Sequence, residues 1–198
     1  MESTLHLKPH EKKLRHVIGI ARSYDHAALL RFLEEKGMEL EQFVKGFNFR
    51  TRAAFLAGAP AGVVAQELAF ENITPAIGFE AITKALSGNI SDPEELEVMV
   101  FALGTGTTPA ADSDTTLETE GFRKLLSSVS YSGASAFYTA FIDLAEAVGS
   151  WTEMGLFMNA DAGTPDDGTL WDRTLESITK TNSQSLTIDY EDDFQNAP

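Results

Sequence analysis

With 198 residues, 43% of them hydrophobic and 23% charged, the chain can bury a core as one large domain or two small ones, and it lacks the composition of a disordered segment. It contains no cysteine, which excludes disulfides, thiolate zinc sites and cysteine nucleophiles together. The net charge of −15 is unevenly spread: residues 1–60 hold ten Lys and Arg against seven Asp and Glu, whereas residues 61–198 hold five against 23.

An acidic body repels nucleic acid and anionic membrane, because binding either depends on neutralising phosphates. The basic leader is suited either to docking on an acidic partner or to being ordinary solvated helix surface. No apolar run approaches the roughly 20 residues that span a bilayer. MESTLHLKPHEKK at the start lacks the apolar region of a secretory signal. The expectation is a soluble protein made in a cytoplasm, without a membrane span.

The first half reads as helical. Asp25 is placed to cap HAALLRFLEEK, in which Ala28, Leu29, Phe32 and Leu33 keep helical spacing, and Gly37 is placed to stop it. LEQFVKGFNFRTRAAFLAG sets Leu40, Phe43, Val44 and Phe47 on one side, with Gly46 and Asn48 as weak points. In TPAIGFEAITKALSGN, Thr74 is the expected cap, Pro75 the first helical residue and Gly88-Asn89 the end.

After Pro93 the period changes. LEVMVFALG is a short apolar run with β-branched residues, and so a strand. FRKLLSSVSYSG and ASAFYTAFID flank a Ser-Gly turn. In the latter Ala136, Tyr138, Ala140 and Ile142 alternate with Phe137, Thr139 and Phe141, as in a hairpin strand. WTEMGLFMN, GTLWDRTLESITK and SLTIDYEDDF complete six expected strands, with no internal repeat. The fold class is therefore α+β. A helical attachment region, 1–90, precedes an antiparallel β-sandwich of jelly-roll-like type, 91–198.

Several patterns hint at chemistry. FALGTGTTPA carries Gly104 and Gly106 at the first two spacings of a dinucleotide loop, but the third position is Pro109 and no lysine follows. The reading is a bend that needs backbone freedom at glycine. His6 and His10 are four apart but Pro9 separates them, and His16 and His26 complete no metal pattern. NADAGTPDDGT clusters Asp161, Asp166 and Asp167 without calcium-loop spacing, which favours a hairpin loop.

Glu118, Glu120, Glu146 and Glu153 have no spacing that singles out an acid/base pair. With all four histidines in the first 26 residues there is no Ser/His/Asp set, and no enzyme activity, metal or cofactor is expected. Trp151 and Trp171, with Tyr131, form either core or a platform on which a sugar ring stacks.

The second half resembles a domain that recurs in structural proteins of tailed bacteriophages, in fibre, tail-tip and related appendages. The likeness rests on the order of a helix like TPAIGFEAITKALSG, Ala102-Leu103-Gly104-Thr105-Gly106, LETEGFRK, a Ser-rich hairpin, Glu153-x-Gly155-Leu156-Phe157, GTLWDR, Ile178-Thr179-Lys180 and SLTIDY. It covers Thr74 to Phe194, about 120 of the 198 residues. The resemblance implies a non-enzymatic virion component, made in the host cytoplasm, that contacts other virion proteins and forms a homo-oligomer, usually a trimer.

On this reading attachment falls to Lys8, Lys12, Lys13, Arg15 and Arg22 and to the apolar face of Phe32, Phe43 and Phe47. ASAFYTAFID, apolar on both faces, would bury its second face against a neighbouring copy. The alternative is a carbohydrate-binding module that recognises a host surface glycan through Trp151 and Trp171.

Overall fold

The computed structural model describes residues 15–194. Its strands are β1 (Arg15–Asp25), β2 (Val64–Glu71), β3 (Val98–Gly104), β4 (Glu120–Leu125), β5 (Ser128–Ser132), β6 (Ser135–Ile142), β7 (Gly149–Met158), β8 (Thr169–Lys180) and β9 (Gln184–Asp193). Four α-helices intervene: α1 (His26–Glu35), α2 (Leu40–Lys45), α3 (Phe49–Leu56) and α4 (Ala76–Leu86). The molecule is mixed α+β with two antiparallel sheets, ordered β2-β1-β9-β6-β5 and β4-β3-β7-β8.

Local chemistry sets the helix ends. The Asp25 carboxylate accepts the Ala28 N–H at 2.8 Å, and Gly37 follows α1 with φ +65°. Asn48 splits the second apolar stretch: its side chain accepts the N–H groups of Arg50 and Thr51, opening α3. At α4 the expectation was one residue out, since Pro75 takes the cap position and no side chain caps the helix. The β5–β6 turn pivots on Gly133, φ +61°.

The expected division at residue 90 does not hold. β1 lies inside the five-stranded sheet, between β2 and β9, pairing Ala21 with Ile188 and Tyr24 with Ser185. Both halves of the chain build that sheet. The expectation of a helical region over 1–90 misses β1 and β2, because RHVIGIARSYD and VAQELAFE each mix charged with apolar residues and show no clean strand alternation.

Three apolar clusters hold the layers together. The largest takes Ala21, Tyr138, Ile142, Ile188 and Tyr190 from one sheet and Phe101, Leu103, Leu156 and Trp171 from the other. A second joins Leu29, Phe32, Phe43 and Leu56 of the helices to Tyr24 and Phe141. β6 is therefore buried on both faces within a single chain: Tyr138 and Ala140 face the second sheet, and Phe141 faces α1–α3. The expectation that a neighbouring copy covers its second face is corrected, because the chain's own helices do so. The third cluster packs Ile77 of α4 and Leu117 on Val100, Ala102 and Phe157.

Candidate functional site

The conspicuous feature of the interior is charge. Among the described residues five strand acids are buried: Glu191 pairs with Arg50, and the other four form three groups that are neutralised differently.

The first explains GTGTT. Glu153 on β7 is fully buried, and its carboxylate accepts the N–H groups of Gly106 at 2.9 Å, Thr119 at 2.8 Å and Glu118 at 3.0 Å. Arg173, opposite on β8, donates Nη2 to Glu153 at 2.9 Å, Nη1 to Asp114 at 2.6 Å and Nη2 to the Thr108 carbonyl at 3.0 Å. The loop over 105–119 is thus laced onto an ion pair.

Gly104 and Gly106 are not among the residues with positive φ, so the expected need for backbone freedom is corrected. A Cβ at Gly106 would fall 2.5 Å from Glu153 Oε1 and from Glu118 Cβ, and one at Gly104 would fall 2.5 Å from the Thr119 carbonyl oxygen. Glycine stands there because a carboxylate and a neighbouring strand approach the backbone. Glu118 accepts the Thr107 and Thr108 amides at 2.7 Å, and the Thr108 bond above all holds its carboxyl below the ordinary range.

The second group ties helices to sheet. Asp189 on β9, fully buried, pairs with Arg52 of α3, with Thr139 at 2.7 Å and with Arg22 at 3.8 Å. Arg52 also donates to the carbonyls of Phe43, Val44 and Phe47 at 3.1, 2.8 and 3.0 Å. These lie at the end of α2, where carbonyls lack helical partners and a cation is favoured.

The third group has no basic partner among the described residues. Asp172 of β8 pairs in register with Leu156, and Asp192 of β9 with Ala136, so the two acids stand on the inner faces of the two sheets. Asp172 accepts Asn72 Nδ2 at 2.7 Å, and Asp192 accepts the Trp171 indole N–H at 2.7 Å. Burial first, then the Asp192 charge, pushes Asp172 well above the usual range; burial pushes Asp192 up to about 6. The other titratable groups facing the pair are Tyr138, Tyr190 and Glu191.

A carboxyl with a raised folded-state pKa holds its proton more tightly when folded. Its stabilisation is complete below about pH 4 and is lost as pH rises through about 6. In chelator-containing buffer, stability should therefore fall across that window, and Asp192→Asn should flatten the fall, as read by denaturant midpoints at a series of pH values.

The surface offers one unusual edge. β5 pairs only with β6 among the described residues, Val129 opposite Tyr138 and Tyr131 opposite Ala136. Opposed residues of an antiparallel pair point to the same side. Val129 and Tyr131 therefore share the inner face of Tyr138, yet they are 57% and 85% exposed. The inner face of this sheet continues uncovered onto its last strand.

The expected attachment residues fall elsewhere. Lys8, Lys12 and Lys13 lie outside the described residues, as do His6 and His10, and Arg15 opens β1. Arg22 is buried against Glu67 and Asp189, and Phe32 and Phe43 are core, with Phe47 packed beside them. These four are therefore corrected: an apolar helical stripe needs a surface to cover it, and the outer face of the five-stranded sheet supplies one.

Trp171 is only 4% exposed and turns its N–H to Asp192, so it presents no ring face to a sugar, whereas Trp151 is half-buried with its N–H on the Ala147 carbonyl. The Asp161 loop joins β7 to β8 as a hairpin, and Arg123 reaches into it, donating to the carbonyls of Asp161 and Asp167 at 2.7 and 3.2 Å. Glu120 pairs with Arg123 and Glu146 with Lys124.

Sequence reasoning weighed Glu153 as a possible acid/base group and missed Asp172, Asp189 and Asp192. The available signal was an acid set among apolar strand residues, as in TLWDRTL and LTIDY. No protein-family model matches this chain, and no curated protein or solved structure matches it either. Among the described residues, no helix is long and apolar enough to cross a membrane.

Proposed function

We propose that this chain is a non-enzymatic structural component of a tailed-phage virion, in a tail, fibre, baseplate or neck appendage. Its two sheets pack as a β-sandwich, and copies associate as a trimer. The observation that carries this reading is the uncovered inner face of β5, where Val129 and Tyr131 extend a core surface into solvent. Exposed apolar surface next to an unpaired strand edge is a liability in a lone monomer and an asset in an assembly. The ordered motifs from Thr74 to Tyr190 support the phage assignment, and the basic stretch with Lys8, Lys12 and Lys13 is assigned to attachment.

Sedimentation equilibrium of the purified chain should give a mass of three protomers. Val129→Ser combined with Tyr131→Ser should give one protomer with an unchanged circular dichroism spectrum. A wild-type chain that sediments as a monomer at every concentration would sink the assembly surface. Absence of its density from a map of the particle would sink the virion assignment.

A further inference from the structure

Of the buried acids, Glu153 and Asp189 each face arginine. Asp172 and Asp192 do not: the groups acting on them are each other, Asn72, Trp171, Tyr138 and Glu191, none of them cationic. Each carboxylate has one oxygen engaged and one, Oδ1, without a hydrogen-bond partner. Two further buried oxygens are in the same condition, Asn72 Oδ1 and Tyr190 Oη. Asn72 is bonded to Asp172, and the Tyr190 phenol feels the charges of Asp172 and Asp192. Four buried oxygens from β8, β9 and the segment after β2 thus keep open lone pairs, with Asn72 in contact with Asp172 and the Tyr190 phenol within reach of both carboxylate charges.

Buried polar atoms are nearly always partnered, and a pair of buried negative charges is costly without a counter-charge. An arrangement made only of oxygens, with no nitrogen or sulfur, suits a hard cation. Two carboxylates balance a charge of two. We infer that Asp172, Asp192, Asn72 and Tyr190 form a site for one divalent hard cation of the calcium class, bridging the two sheets.

A groove lined by Ala69, Phe70, Glu71, Thr174, Leu175 and Glu176 opens on the surface next to Asn72 in sequence, and its two glutamates give it negative charge. Protons compete for the same oxygens, so affinity falls as the carboxyls protonate. The site would join the sheets where the interior holds no other positive charge, and it stands independently of the proposed role in a virion.

Terbium(III) takes calcium's ligands and emits when an adjacent aromatic ring is excited, and Trp171, Tyr138 and Tyr190 surround the pair. Excitation of the full chain should give saturable terbium emission that calcium displaces, and calcium should raise the melting temperature of chelator-treated protein. Tyr190→Phe removes one oxygen and no charge, and should weaken terbium affinity about tenfold. Asp172→Asn combined with Asp192→Asn should abolish both responses, and Asp161→Asn combined with Asp166→Asn, on the exposed hairpin loop, should leave them intact.

No emission and no calcium shift in the wild-type chain would overturn the site and leave a proton-sharing pair. Emission lost in the loop variant but kept in the Asp172/Asp192 variant would overturn it equally. Should the Asp172/Asp192 variant fail to fold, Tyr190→Phe decides: unchanged terbium affinity would count against the site.

Discussion

Glu153→Ala should lower the unfolding free energy by about 3–5 kcal/mol, the range for removing one partner of a buried ion pair. The effect has three sources. Arg173 is left buried with Asp114 as its closest remaining anion. The N–H groups of Gly106, Glu118 and Thr119 lose the acceptor they share. The loop over the outer face of the four-stranded sheet then loses its anchor, and with it the packing of Leu117 on Phe157. Glu153→Gln should cost less, because an amide oxygen in place of Oε1 still accepts the Gly106 and Thr119 N–H groups, although the NH2 in place of Oε2 no longer accepts from Glu118 or Arg173. Urea midpoints for both variants check this; a loss below about 1 kcal/mol for Glu153→Ala would mean that the loop holds by apolar contact alone.

Arg52→Met is expected to cost a similar amount, about 3–5 kcal/mol, for a different reason. The variant keeps much of the apolar stem but strands the Asp189 carboxylate in the core, with Arg22 at 3.8 Å as its remaining cation. It also leaves the carbonyls of Phe43, Val44 and Phe47 without their donor. Amide exchange should therefore quicken across α2 and α3 more than across β7 and β8. Adding Asp189→Asn to Arg52→Met should recover part of the loss, since the variant no longer buries a lone charge. If the single variant melts like wild type, the helices are held by Phe32, Phe43 and Leu56 without help from the ion pair.

The legible parts of this fold are those whose cause lies within a few residues. Asp25 caps α1, Asn48 divides α2 from α3, and Gly133 turns β5 into β6, each through bonds or dihedrals that short-range chemistry dictates. The alternation in ASAFYTAFID is a real strand with two buried faces. Two things were illegible. β1 and β2 mix charge with apolar residues, because β1 carries Arg22 and β2 carries Glu67 for an ion pair between them. The helical stripe of Phe32 and Phe43 reads as a free attachment face, because an amphipathic pattern says that a face will be covered and not what covers it.

The same limit governs the acids. Glu153, Asp172, Asp189 and Asp192 are each a carboxylate within a strand that also carries apolar core residues. By itself the sequence determined that these strands exist, that the chain holds no disulfide, and where its helices start and stop. Only the tertiary structure decided that Glu153 meets Arg173, that Asp189 meets Arg52 and Arg22, and that Asp172 and Asp192 are buried within reach of each other's charge. The reason is that local signals arise from bonds three or four residues apart, whereas β1 is joined to β9 across some 170 residues of chain. A buried charge takes as its partner whatever such long-range pairing sets opposite it.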